Sequence, residues 1–272
     1  MFVSRGTTAP VGRRKGPLAV KKSYAIANQK GGVGKTTTAV NLSAALALGG
    51  HRCLLIDLDP QGNATSGLGA EKRERGGAEA ALVAPEAPDT WVEKTRVENL
   101  SLVPSTHRLG GVELLLRHEV NRYQRLKQAL EHVAEKFDYV LIDCPPSTGL
   151  LPMNALIAAH EVIIPVQCEY YAMEGLAQMI GTLAAAETEH AAGVQIGGFL
   201  LTMYDPEVTL AGEIANEVIS HFRDRTYATV VPRDPVLSEA PSHGLSVIEY
   251  SPRSRGANAY IQLAKEIVHA NR

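Results

Sequence analysis

The 272-residue sequence predicts a single α/β domain, a mostly parallel twisted sheet with helices on both faces. Short apolar runs that suit buried parallel strands alternate along the chain with longer helical patterns. A glycine turn at 31–34 joins the first such run to the first helix. A hydrophobic content of 45% at this length supports one large core without calling for a second.

The first strand is Tyr24-Ala25-Ile26-Ala27 and the first helix runs from Thr36 to Leu48. Between them stands Gln29-Lys-Gly-Gly-Val-Gly-Lys-Thr-Thr-Thr38. Gly31, Gly32 and Gly34 permit backbone angles that turn successive N–H groups toward one anion. The helix N-terminus adds unpaired donors and a partial positive charge. Lys35 is placed to reach β- and γ-phosphates, the Thr36 hydroxyl to ligate a bridging Mg2+, and Thr37 to donate to the α-phosphate. A glycine turn alone is an ordinary strand-to-helix connection. With Gly-Lys-Thr-Thr in register it makes the domain a P-loop NTPase. The first glycine of G-x-x-x-x-G-K-[ST] is replaced by Gln29, and a lysine, Lys30, follows it.

Arg52 to Asp59 reads as a buried strand ending in carboxylates and then Pro60, with Asp57 and Asp59 on one face. This strand is expected to neighbour the one that carries the glycine turn. Residues 60–69 read as a polar, glycine-punctuated loop of the kind that binds ligands at strand carboxyl ends. From Ala70 to Thr95 a short helix and connections are expected, then a short strand at Leu100 to Pro104. An amphipathic helix spans Arg122 to Lys136, with Leu126, Ala129, Leu130 and Val133 on one face. Tyr139 to Asp143 is a second strand ending in a carboxylate. Asp143 either caps the next turn or, paired with Lys35 and Thr36, serves magnesium through a bound water. Strands follow at 161–167, 196–204 and 228–232, and helices at 173–187, 210–222 and 257–270.

Six of the 27 basic residues and none of the 29 acidic ones fall in residues 1–22, so the rest of the chain carries an excess of eight acidic side chains. That stretch is rich in glycine and proline and lacks periodicity, and it reads as a disordered basic arm before a domain at 23–272. It is either a solvated tail or an electrostatic arm for nucleic acid or an acidic partner. Cys53, Cys144 and Cys168 lie far apart with no C-x-x-C pair, which suggests three reduced thiols. Without a leader or an apolar run of membrane-spanning length, a cytoplasmic protein with no membrane partner is expected.

Lys30-Gly-Gly-Val-Gly-Lys-Thr36 resembles the deviant Walker A motif of the ParA/MinD group of P-loop ATPases. Six further stretches are similar to ParA/Soj, the chromosome- and plasmid-partitioning branch: Asp57 to Gly69, Asp143 to Ser147, Pro165 to Gly175, Leu201 to Asp205, Leu237 to Gly244 and Ser251 to Ala257. The resemblance covers nearly everything from Lys22 onward. It implies a homodimer formed on ATP, with Lys30 reaching the partner's nucleotide much as an arginine finger does. It implies that Asp59 orients the attacking water, that Asp57 belongs to the magnesium shell or supports it, and that Pro232 and Asp234 frame the adenine.

The same resemblance implies non-specific DNA binding, nucleoid association and a ParB-like activator that stimulates hydrolysis. Arg223, Arg225, Arg253 and Arg255 are the DNA-facing candidates, with Arg233 nearby, against a plain role in solubility. Three positions depart from the family. Asp234 stands where Asn is usual and lacks its amide donors, and Glu207 and Val236 replace two DNA-facing arginines. These replacements keep open an adaptor of the same family whose matrix is not DNA. A nitrogenase-iron-protein type of reductase shares the loop, but three scattered cysteines do not offer the cluster ligands it needs.

Overall fold

The computed structural model describes residues 22–271. Seven strands form one sheet in the order β3-β4-β2-β5-β1-β6-β7: β1 Lys22–Ile26, β2 Cys53–Asp57, β3 Glu93–Lys94, β4 Leu100–Val103, β5 Tyr139–Asp143, β6 Glu161–Gln167 and β7 Gln195–Thr202. All neighbours are parallel except the edge pair β3 and β4. The helices are α1 Lys35–Leu48, α2 Asn63–Gly67, α3 Gly77–Val83, α4 Val112–Leu115, α5 Arg125–Glu131, α6 Leu150–Ala158, α7 Ala172–His190, α8 Thr209–Phe222, α9 Val236–Glu239, α10 Val247–Tyr250 and α11 Arg255–Ala270.

The two-residue period of the strands sorts the core into two layers. Tyr24, Ile26, Leu55 and Leu141 join α1 and α11 on one face of the sheet, packing with Leu42, Leu46, Tyr260 and Leu263. Ala25, Ile56, Val140 and Ile142 face the other way, against Leu126 of α5, Leu156 of α6 and Leu176 of α7. Asp57 and Asp143 lie two residues beyond Leu55 and Leu141, so they fall on the α1 face at the carboxyl end of the sheet.

Several expectations are corrected. β2 does not neighbour β1, because β5 lies between them, with Asp143 paired to Ile26 on one side and to Asp57 on the other. The helix expected over 122–136 is regular only from Arg125 to Glu131 and is flanked by 3-10 turns at Arg122–Gln124 and Ala134–Lys136. Its start is set by Asn154 of α6, whose Oδ1 accepts from Leu126 N–H (3.1 Å) while its Nδ2 donates to Arg122 C=O (2.8 Å). The predicted apolar face is nonetheless buried. The expected strand at 228–232 is reduced to one isolated bridge, Tyr204 with Pro232, with a second just before it between Phe199 and Thr226. Glu266 of α11 captures the N–H groups of Ala228 (2.8 Å) and Thr229 (3.1 Å), so they cannot enter a ladder. The loop at 60–69 contains the short helix α2, and α6 had no forecast.

Lys22, assigned to the arm from sequence, opens β1 and pairs with Glu161 at 2.6 Å. The rest of the arm, residues 1–21, lies outside the described residues. Among the described residues no helix is long and apolar enough to cross a membrane.

Candidate functional site

The chain leaves β1 in the middle of the sheet, where both neighbours hold it, and turns through the glycine loop into α1. Gly32 (φ +74°) and Gly34 (φ +88°) occupy the left-handed region that disfavours side chains. A Cβ on Gly31 or Gly32 would meet nothing within 4 Å, so the loop presents bare backbone to open space. Thr202 at the end of β7 steadies the loop from behind, its hydroxyl donating to Val33 C=O at 2.9 Å. The first helical bond of α1 is Thr38 N–H to Gly34 C=O, which leaves the N–H groups of Lys35, Thr36 and Thr37 for a ligand.

Lys35 is 6% exposed, and its Nζ donates to Lys30 C=O at 2.9 Å. Burial lowers its pKa, opposed by the nearby charges of Asp143, Cys144 and Asp59. Lys30 is half-buried, and its ammonium makes no ion pair or hydrogen bond among the described residues. α7 passes close to the loop at Gly175, where a Cβ would make ordinary contact with Asn28 and Lys30 at 3.7 and 3.8 Å.

Asp143 is fully buried, and neither carboxylate oxygen has a hydrogen-bond partner. Burial first and the charge of Asp57 second push its pKa well above the ordinary carboxylate value. Thr36 and Lys35 lie near enough to pull it down, although the Thr36 hydroxyl is outside hydrogen-bonding geometry. A buried carboxylate with two orphaned oxygens beside a threonine hydroxyl fits a divalent cation. Among the described residues no group of three or more His, Cys, Asp and Glu could hold a metal ion.

Asp57 is buried too, but its oxygens are occupied. Oδ2 accepts from Thr65 N–H (2.8 Å) and Thr65 Oγ1 (2.7 Å), and Oδ1 from Asp59 N–H (3.1 Å). Burial raises its pKa against these bonds. Asp59 enters the site through the chain beyond β2, where Leu58 N–H bonds Asp143 C=O at 3.0 Å. Its Oδ1 accepts from Gln61 N–H (2.8 Å), and Oδ2 accepts nothing among the described residues.

Pro232 and Asp234 line a cavity of about 300 Å³ together with Gly34, Thr37, Thr202 and Tyr260. This places the cavity directly beside the glycine loop. Asp234 turns both oxygens away onto backbone, accepting from Val236 N–H (3.3 Å) and Gly256 N–H (2.9 Å) at the starts of α9 and α11. Met203, also in the lining, has φ +52°, a strained setting for a side-chain-bearing residue. Sequence reasoning assigned no role to Thr202, Met203 or Tyr260. The only signal for the first two was the Leu201 to Asp205 stretch. A larger cavity, about 630 Å³, lies between the far ends of α1 and α11 and is lined by Ala45, Leu48, Lys265 and His269 among others, with no carboxylate. It is remote from the loop and unsuited to phosphate and magnesium together.

The candidate DNA-facing arginines divide into two groups. Arg255 donates to Arg233 C=O at 3.4 Å, and Arg233 lines the cavity beside the glycine loop. Arg225 donates to Ile196 C=O at 3.4 Å, at the amino end of β7, with Arg223 in the same turn. Arg225 and Arg255 thus rest on different backbone stretches, at Ile196 and at Arg233.

A glycine loop whose N–H groups stand free at the head of the first helix, a buried orphaned carboxylate beside Thr36, and a parallel sheet behind both define a P-loop nucleotide hydrolase. Residues 21–196 match the family model described as AAA domain. The sporulation initiation inhibitor protein Soj of Bacillus subtilis is 52% identical over 247 residues, 90% of this chain and 98% of its own. The chromosome-partitioning ATPase Soj of Treponema pallidum is 45% identical, covering 91% of this chain and 97% of its own. The solved structure of cobyrinic acid a,c-diamide synthase from Mycobacterium smegmatis, with bound ATP analog and magnesium, superposes with a TM-score of 0.81 at 34% identity over 92% of this chain and 94% of that one. The chain belongs to the ParA/Soj family of chromosome-partitioning ATPases.

Proposed function

We propose that this ATPase is a dimerising switch in chromosome or plasmid segregation. ATP seated on Gly31, Gly32, Gly34, Lys35, Thr36 and Thr37 brings two copies together, and Lys30 of each reaches the other's phosphates. The carrying observation is that Lys35 is folded onto Lys30 C=O inside its own loop, while the Lys30 ammonium has no partner among the described residues. One cation serves the resident nucleotide and a second is left over.

A bound Mg2+ would supply positive charge against the phosphates. Thr36 and Asp143 would hold it, Asp143 through an intervening water, with Asp57 supporting from the loop side. Lys35 draws the phosphate oxygens toward the loop. Asp59 orients the attacking water with its free oxygen, and Pro232 and Asp234 frame the base. The dimer binds DNA non-specifically through Arg253 and Arg255, with Arg233, and works in the cytoplasm on the nucleoid. A ParB-like activator accelerates hydrolysis and release.

Binding of a non-specific duplex with ATP, with ADP and without nucleotide tests this reading, with Lys35→Ala as control. ATP-only binding, lost in Lys35→Ala together with hydrolysis, is expected. Normal hydrolysis by Lys35→Ala would overturn the site assignment. A second reading, an ATP-switched adaptor on a protein matrix, draws on Glu207, which is exposed, and Val236, which packs against the core. ATP-driven dimerisation without DNA binding at any salt would select it.

A further inference from the structure

Asp59 sits on the chain just beyond β2, and a mobile backbone there would leave its carboxylate poorly aimed. Four buried residues close a ring of hydrogen bonds around it. Asp59 N–H donates to Asp57 Oδ1 (3.1 Å), and the Thr65 hydroxyl donates to Asp57 Oδ2 (2.7 Å). The same Thr65 oxygen accepts from Ser105 N–H (2.8 Å), and the Ser105 hydroxyl donates to Asp59 C=O (2.7 Å). Asp57, Thr65 and Ser105 are each 0% exposed. The ring spans the end of β2, the first turn of α2 and the chain just after β4, and it fixes the peptide groups on both sides of the Asp59 Cα.

We propose that Thr65 and Ser105 are positioning residues for ATP hydrolysis, holding the Asp59 backbone so that its free carboxylate oxygen aims at the attacking water. This rests on the reading of Asp59 given above. Both side chains spend their hydroxyl protons within the ring, and both are sealed from solvent, so they act through Asp59 and not on the nucleotide. Thr65 is the corner that a methyl cannot replace, since its oxygen both donates and accepts. Ser105 is the gentler probe, because Asp59 C=O keeps a second donor, Gly62 N–H at 2.9 Å.

The test is steady-state ATP hydrolysis by the full chain with Mg2+, with ATP affinity measured separately on a fluorescent analogue. Thr65→Val and Ser105→Ala are expected to lower kcat roughly 10- to 100-fold, the scale of a misplaced reacting group, with KM and affinity nearly unchanged. Thr65→Ser restores the hydroxyl and should recover most of the rate. The double variant Asp59→Asn/Thr65→Val should be no slower than Asp59→Asn alone, because Thr65 has no other route to the reaction. Wild-type kcat in both Thr65→Val and Ser105→Ala, beside a slow Asp59→Asn, overturns the positioning role and leaves Asp59 in place. Wild-type kcat in Asp59→Asn overturns the role of Asp59 itself. If Thr65→Val melts early, Ser105→Ala decides. A loss of nucleotide affinity as large as the loss of kcat in that variant would mark a merely structural effect and also refute the proposal.

Discussion

Replacing Asp143 by Asn should stabilise the nucleotide-free protein while damaging its use of magnesium. Asp143 is fully buried, both oxygens lack partners, and Asp57 stands beside it across the β2–β5 pairing. An unsatisfied buried polar group costs about 1–3 kcal/mol and more when charged; Asn leaves the group unpaired but removes the charge, so only the charge-dependent excess is relieved. An excess of about 1 kcal/mol is a rise in Tm of roughly 2–4 °C for Asp143→Asn. The raised pKa gives the effect a pH signature. The protonated form is favoured in the fold, so the penalty is absent below the unfolded carboxylate pKa, grows as pH rises through the folded one, and is complete above it. Thermal unfolding of both proteins in EDTA, followed by circular dichroism at pH 8 and pH 5, should show a gap that narrows on acidification. Adding ATP and Mg2+ should then raise the wild-type Tm and move the variant far less. An Asp143→Asn protein that melts below wild type in EDTA at pH 8 would refute the argument that this carboxylate is held in wait for a cation.

Three other outcomes follow from the geometry. Gly34→Ala forces a side chain to φ +88° and should cost about 1–2 kcal/mol of stability by chemical denaturation, with ATP affinity falling more steeply because the cradle distorts. Asp234→Asn keeps one acceptor where two N–H groups are bound, so it should destabilise by about 1–3 kcal/mol and shift the ratio of ATP to GTP affinity, read by competition binding. Reversing charge at Arg253 and Arg255 should abolish ATP-dependent duplex binding and flatten its salt dependence, whereas the same change at Arg223 and Arg225, in the turn anchored on Ile196, should leave it near wild type.

The glycine loop and the strand-end carboxylates were legible because each is local. Glycines, a helix start and an apolar run ending in Asp need only neighbours in sequence to declare themselves. The order of the strands is not local, which is why β2 was expected beside β1 when β5 intervenes. The stretch Ala228 to Pro232 has strand composition, yet Glu266, 37 residues further on from Thr229, takes its N–H groups. Asn154 likewise sets the start of α5 from 28 residues away. The ring around Asp59 closes over 40 residues between Thr65 and Ser105, two common polar residues with nothing in their surroundings to single them out. Arginines grouped from the sequence rest on different backbone anchors, Ile196 for Arg225 and Arg233 for Arg255. A list of charged residues carries no distances.

The central place of β1 shapes how the loop behaves when ATP departs. β1 is bonded along its length to β5 and, over three register pairs, to β6, with α1 packed on one face. Its amides belong to the part of the sheet that opens only with the whole domain, and hydrogen exchange at Tyr24 to Ile26 should be among the slowest in the chain. A cradle hung from such a strand does not have to be rebuilt at each turnover. Nucleotide meets a surface already in shape, so the ordering that accompanies binding falls on the segments outside this strand.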